Sequence, residues 1–145
     1  MPLHLIKLCV GCDSIEDLDD WIALRMREAR KAGKKPQHAH VTRMIPKRTE
    51  DLLDGGSLYW VIRGNVQARQ RLLAVRPFRD GDGLKRCHLV LEPNVIPTSW
   101  QPRRAFQGWR YLKPEEAPRD LSNARAGLRQ LPPELRRDLA DLGLL

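Results

Sequence analysis

Hydrophobic and polar positions in this chain alternate with two different periods, and the changes of period divide it into elements. Residues 3–10 are apolar on both faces, with Leu3, Leu5 and Cys9 on one and Ile6, Leu8 and Val10 on the other, which predicts a largely buried strand. The spacing then becomes helical over 15–32. Ile15, Leu18, Trp21, Ile22 and Ala29 form the apolar stripe, Leu24 and Met26 widen it, and Arg25 interrupts it. Ser14 is placed to cap the first turn, where Glu16, Asp17, Asp19 and Asp20 complement the helix dipole. Arg25, Arg27, Arg30 and Lys31 crowd the other end, and Gly33 supplies the stop.

Strand alternation returns over 38–45 and ends at Pro46. A short helix or turn over 49–53 runs into Asp54-Gly55-Gly56, a sharp break. The strongest strand signal follows over 57–63, closed by Gly64, and another strand is predicted over 68–78. Asp80-Gly81-Asp82-Gly83 marks a hairpin whose return strand covers 85–91. Pro93 and Pro97 predict an irregular passage, and a last short strand is expected over 109–112. Beyond Lys113, prolines at 114, 118, 132 and 133 separate two helical pieces, over 122–130 and 133–142. Leu135, Leu139 and Leu142 are spaced to pack on the rest.

Clustered strands with few helices argue against a doubly wound parallel sheet. The expected fold class is α+β: a small, mostly antiparallel sheet or barrel with one long N-terminal helix and a short helical C-terminal tail. Residues 1–113 form the expected domain, and 114–145 a proline-punctuated extension packed on it. At 145 residues the chain is long enough to bury a sizeable core. No apolar run approaches the roughly 20 residues of a membrane helix. The N-terminus does not read as a secretory signal, and three cysteines imply no disulfide framework, so a cytoplasmic protein with no membrane partner is expected.

Charge alters the picture through its placement. Residues 1–37 carry seven Lys/Arg against six Asp/Glu, and 114–145 carry five against six. Residues 38–113 carry fourteen against six, a net of +8 that equals the charge of the whole chain. A basic stretch between neutral flanks is the footprint of a polyanion-binding face; the competing reading is that arginine solubilises exposed strand edges.

Candidate chemistry is sparse. Cys9-Val10-Gly11-Cys12 is a CxxC at a strand–helix junction, where a helix N-terminus lowers a thiol pKa, but the element order is not that of a thioredoxin. Zinc needs four ligands; Cys87 and His88 are adjacent on a strand and point to opposite faces. His38 and His40 share a strand face without a carboxylate nearby in sequence. No HExxH, GxSxG or P-loop is present, so no catalytic residue, metal ligand or cofactor is assigned. The basic segment is richer. Arg43, Lys47 and Arg48 follow one strand, Arg69 and Arg71 share a face of another, and Arg103, Arg104 and Arg110 surround Phe106, Trp109 and Tyr111. Tyr59 and Trp60 lie on opposite faces, so at most one faces outward. Cationic groove plus aromatic platform suits single-stranded nucleic acid, because guanidinium groups pair with phosphates and rings stack on bases. Each aromatic taken singly reads more naturally as core.

Several strings carry a resemblance: Lys7-Leu8-Cys9-Val10-Gly11, His40-Val41-Thr42-Arg43-Met44, the run from Gly55 to Gly64, Ala68-Arg69-Gln70-Arg71, and Phe106-Gln107-Gly108-Trp109-Arg110-Tyr111-Leu112. Over 1–121 the chain resembles an uncharacterised alphaproteobacterial family, the domain of unknown function numbered 1489, whereas the tail resembles no known family. At the level of pattern only, Asp54 to Gly64 followed by Leu72-Leu73-Ala74-Val75 is similar to the PUA-like barrels that include ASCH and EVE domains. That likeness implies binding of RNA or modified bases in an aromatic and polar cleft, and carries over no single residue.

The expectation is therefore a non-enzymatic RNA- or nucleic-acid-binding module. Arg43, Lys47, Arg48, Arg69, Arg71, Arg103, Arg104 and Arg110 would line a groove, with Tyr59 or Trp109 as the stacking surface. Its partner would be single-stranded RNA or another polyanion. The alternatives are a small enzyme acting on an anionic, nucleotide-like substrate through His38, His40 or His88, and a protein-interaction module docking through the tail.

Overall fold

The computed structural model describes residues 2–33 and 38–121, with 134, 135 and 137. The first strand, β1 (His4–Leu8), leads into α1 (Ile15–Lys31), and β2 (His38–Thr42) precedes the short α2 (Thr49–Leu53). Then come β3 (Ser57–Ile62), β4 (Asn65–Arg79), β5 (Lys85–Leu91), β6 (Ile96–Pro102) and β7 (Trp109–Leu112). All seven strands join one open sheet in the order β2-β5-β4-β3-β1-β7, with β6 paired to β4 beside that path. Every pairing is antiparallel except that of β1 with β3. The architecture is α+β, as the order of patterns implied.

Ser14 caps α1 by accepting a hydrogen bond from the Asp17 amide (3.3 Å). The helix lays Ile15, Leu18 and Ile22 on the sheet. These pack with Leu5, Leu58, Trp60, Leu89 and Trp109 in the main core. Ile6, Tyr59, Val61, Val66 and Leu112 form a second cluster, joined by Leu8 and Phe106. Alternation along β1 divides its residues between the two clusters. Trp21 and Leu24, read from periodicity as part of the stripe, are 38% and 46% exposed. They flank the contact line, and the Arg25 guanidinium covers the Trp21 ring from 4.8 Å.

The hairpin between β3 and β4 is tighter than the pattern indicated. Ile62 pairs with Asn65 across Arg63 and Gly64, both at positive φ (49° and 82°), the signature of a two-residue type I′ turn. β4 therefore starts at Asn65 rather than near Ala68. A register shift leaves Val66 and Gln67 both buried, and Gln67 Nε2 donates to the Ile62 carbonyl (2.8 Å), so a polar residue obscured the strand. The passage expected to be irregular after Pro93 is β6. Its prolines at 97 and 102 are tolerated because it is an edge strand lying along only the first part of β4. β2 stops at Thr42, short of the predicted 45, because Thr42 Oγ1 donates to the Met44 carbonyl (2.9 Å) and the chain bends there. The tail helices predicted over 122–130 and 133–142 lie outside the described residues, apart from 134, 135 and 137.

Gly56 couples α2 to the sheet. Its amide donates to the Leu52 carbonyl (3.0 Å) and its carbonyl accepts from the Leu72 amide (3.0 Å). A Cβ here would collide with the backbone oxygens of Leu3 and Leu52. Gly56→Ala is therefore expected to destabilise the protein by about 1–3 kcal/mol in urea unfolding, the range for overpacking. Gly81→Ala, at a hairpin position with nothing within 4 Å, should stay within about 0.5 kcal/mol of the parent. Equal effects of the two substitutions would refute this account of the α2 junction.

Candidate functional site

The site is built around a lysine in a core position. β1 lies between β3 and β7, and the registers Lys7↔Trp60 and Lys7↔Trp109 place Lys7 on the α1-covered face with a tryptophan on either side. Lys7 is half-buried, its side chain makes no hydrogen bond or ion pair with a described residue, and it lines both of the cavities that open here. Burial lowers its ammonium pKa, while the neighbouring Cys9 thiol acts in the opposite sense.

The larger cavity, about 670 Å³, is lined by Lys7, Val41, Thr42, Arg43, Met44, Arg86, Gln107, Gly108 and Trp109. It opens where β2 and β5 part after the pair Thr42↔Cys87, and the next residue on each side of that pair, Arg43 and Arg86, faces the opening. The Met44 carbonyl fixes one wall by accepting from both Thr42 Oγ1 (2.9 Å) and Trp109 Nε1 (2.9 Å). Gly108, at φ 69°, closes the rim where a Cβ would press on Met44 Cε at 3.2 Å. Three cations line this cleft and no carboxylate does. Arg86 Nε is held by Asp80 at 2.7 Å, whereas Arg43 is exposed and unpaired among the described residues.

The smaller cavity, about 360 Å³, is lined by Lys7, Leu8, Cys9, Val10, Gly11, Cys12, Asp17, Trp21, His40 and Trp60. Trp60 is 1% exposed and donates through Nε1 to Gln70 Oε1 (2.8 Å). The His40 ring meets it edge-on at 5.3 Å, and buried His40 Nε2 has no hydrogen-bond partner among the described residues. Burial first, then Lys7, His38 and Arg25, lower the His40 pKa to about 4. His38, against Trp21 at 5.7 Å, is lowered to about 4 by burial and by Arg25.

The residues expected to line one groove are divided between the two faces of the sheet. Arg43 and Trp109 reach the Lys7 cleft. Arg103, Arg104 and Arg110 line a different cavity of about 410 Å³ with Ile6, Phe106 and Glu116, because Arg110 pairs in register with Ile6 rather than with Lys7. Arg110 there lies over the Phe106 ring at 5.3 Å. Lys47 and Arg48 donate their backbone amides to Tyr111 Oη (2.9 and 3.3 Å), and the Arg48 side chain pairs with Asp51 at 3.0 Å. Arg69 pairs with Asp120 at 2.8 Å and donates to Ser57 Oγ at 2.9 Å, whereas Arg71 is exposed on β4. Tyr59 and Trp109 are 5% and 8% exposed, so neither ring stands free as a stacking platform.

Lys7, Arg86, Gln107 and Trp60 were not picked out as site residues from sequence, and His40 was named there only for the enzymatic alternative. For Lys7 a signal existed: it is the one charged residue among the apolar positions Leu3, Leu5 and Cys9 of a single strand face. Cys87 is buried in the main core while His88 stacks on Phe78 at 4.2 Å. Among the described residues no group of three His, Cys, Asp or Glu side chains is placed to hold a metal ion. No helix among them is long and apolar enough to cross a membrane.

Fold and site together define a small α+β domain whose open sheet carries a cationic cleft around a half-buried lysine. The chain belongs to the DUF1489 family of proteins of unknown function, whose model matches residues 5–145. That span includes the C-terminal residues, for which no family likeness was expected beyond 121. No curated protein and no solved structure matches the chain.

The two histidines give the fold a pH signature. In the unfolded chain each protonates as pH falls through 6.5, whereas in the native state each stays neutral until about 4. The unfolded state then binds more protons, so stability is full above pH 6.5 and declines between 6.5 and 4. The expected decline is at most about 3 kcal/mol per histidine. Urea midpoints at pH 7.5 and pH 5 measure it, and His38→Gln and His40→Gln should each flatten the difference. A slope unchanged in both variants would assign the acid sensitivity elsewhere.

Proposed function

We propose that the protein is a non-enzymatic binding module for single-stranded RNA or a chemically similar polyanion, which it holds in the cleft around Lys7. The observation that supports this reading is the lining of the larger cavity: Lys7, Arg43 and Arg86 line it with no carboxylate among the lining residues, and Arg86 alone of the three is held by a described acid, Asp80 at 2.7 Å. Cations that share a cavity without an acidic partner repel one another unless an anion lies between them. Phosphate groups supply that charge, and in the adjoining cavity the partly exposed Trp21 offers a ring to a base. A PUA-like affinity belongs to the same proposal. The order of β1, α1, the Gly56-Ser57 entry into buried β3, and long β4 follows the pattern of that class.

One observation favours a second reading, turnover of a nucleotide-like anion. The unpartnered Nε2 of neutral His40 and the Lys7 side chain, whose ammonium pKa burial lowers, line the same small cavity, which sets a proton acceptor beside a proton donor.

Fluorescence anisotropy of an end-labelled single-stranded RNA, measured from 50 to 200 mM salt, tests the binding reading. Three phosphate contacts give a log–log salt slope of about −2, and each cation removed lowers it by about 0.7. Lys7→Met and Arg43→Glu should each weaken binding, while Arg103→Glu with Arg104→Glu, on the opposite face, should leave it within about twofold. Salt-independent binding, or greater loss in the Arg103/Arg104 double variant, would overturn the assignment to this cleft. Shortened RNA after incubation, abolished by His40→Ala, would establish the second reading instead.

A further inference from the structure

Beside the cleft lies a cysteine pair that the binding reading does not use. We propose that Cys9 and Cys12 form a redox-active dithiol, which exchanges with low-molecular-weight disulfides and closes to an intramolecular disulfide. The first ground is backbone geometry. The Cys12 amide donates to the Cys9 carbonyl (3.4 Å), and Gly11, third of the four residues, has φ 84°, as a type II turn requires. Such a turn holds its end Cα atoms within about 7 Å, and a disulfide spans about 4.4–6.8 Å. Closing the bridge therefore needs little movement of the chain.

The second ground is placement. Both cysteines line the smaller cavity and pack on the main core without being sealed in it. The rest of the turn is open: Val10 is 88% exposed, and nothing lies within 4 Å of where a Gly11 Cβ would be. A small disulfide can approach from that side. Cys87, the third cysteine, is fully buried and lines neither cavity at Lys7.

The two thiols also differ in character. A hydrogen bond between them lowers the Cys12 pKa and raises that of Cys9, to which burial adds; Asp17, on the cavity wall, raises both. Cys12 also lies two residues before the Ser14 cap of α1, nearer the positive end of the helix than Cys9, so it is the attacking thiol and Cys9 the resolving one. The Cys12 sulfur attacks one sulfur of a disulfide RSSR, forming a mixed disulfide and expelling RS⁻. Cys9 then loses its proton to water and attacks the Cys12 sulfur, expelling the second RS⁻. Overall, RSSR and two protein thiols become two RSH and the Cys9–Cys12 disulfide; the small disulfide is reduced and the protein pair oxidised.

The test uses the full chain in buffers of varied oxidised-to-reduced glutathione ratio, with acid quenching, alkylation of free thiols and intact mass measurement. The wild-type protein should pass from three alkylated thiols to one in a single two-electron step, and peptide mapping should find Cys9 joined to Cys12. Cys87→Ser should retain that step. Cys9→Ser should stop at a glutathione mixed disulfide on Cys12. Cys12→Ser should react with glutathione disulfide more slowly than Cys9→Ser, because burial and Asp17 still raise the pKa of Cys9 once Cys12 is gone. Three free thiols in the wild type under fully oxidised glutathione would overturn the proposal, as would a bridge through Cys87. Equal reactivity of the two single variants would overturn the assignment of Cys12 as attacking thiol.

Discussion

The arrangement depends on the parallel pairing of β1 with β3 and the antiparallel pairing of β1 with β7, which together fix the face on which every β1 side chain lies. A one-residue slip would exchange the faces. Leu5 would leave the main core and Ile6 the second cluster, so the apolar pattern specifies the register strongly. Lys7 has no such choice. The register that buries Leu3 and Leu5 also carries Lys7 inward, between Trp60 and Trp109. An ammonium without a counter-ion is costly in that position, and a residue such as Met would fill it more favourably. The fold tolerates this because the strands beyond Lys7 part and leave the cavities into which it faces. A cost of this kind, borne next to a cleft, is what the proposed binding function would account for and stability alone does not.

β4 explains why a cleft forms there. Its fifteen residues serve three partners, β3 and β6 along the first part and β5 along the second. All three ladders contain register shifts, and the strand order places β2 and β5 on the other side of β4 from β1 and β7. The larger cavity is lined from both ends of this order, by Val41 and Arg86 from one and Lys7 and Trp109 from the other. Met44 bridges the two, since its carbonyl accepts from Thr42 of β2 and from Trp109 of β7.

Much of the fold was legible because it rests on periodicity and turn chemistry. The Ser14 cap, the Asp80-Gly81-Asp82-Gly83 hairpin and the apolar run from Ser57 to Ile62 are local signals, and each marks an element boundary or a buried strand. The β6 strand was not legible, because Pro97 and Pro102 argue against a strand unless its position at an edge is known. The early start of β4 was hidden by Gln67, whose amide is satisfied only by the hairpin it helps to form. Trp21 was misplaced for a related reason: helical spacing gives a stripe, but how wide a stripe is covered depends on the sheet beneath it. The site was least legible. Charge density along the chain located a basic segment, yet which arginines meet depends on strand parity and on long-range pairing.

Pairing, more than number, then decides which cations can take a ligand. Arg48, Arg69 and Arg86 each spend charge on a carboxylate, at 3.0, 2.8 and 2.7 Å. Arg103 donates to Gln101, Arg110 lies over a ring, and Glu116 lines the cavity the two share. What stands uncompensated in a cavity free of acids is Lys7 with Arg43, one half-buried and one exposed. A half-buried cation is screened less by solvent and salt than an exposed one, so under the proposed function Lys7 would contribute more per charge to holding an anion than an exposed arginine. Under the same proposal the exposed Arg43 would act at longer range, drawing a polyanion toward the opening. Fourteen basic residues give the central segment its charge excess, yet Lys7, one of the two cations of the acid-free cavity without a described acidic partner, lies outside that segment altogether.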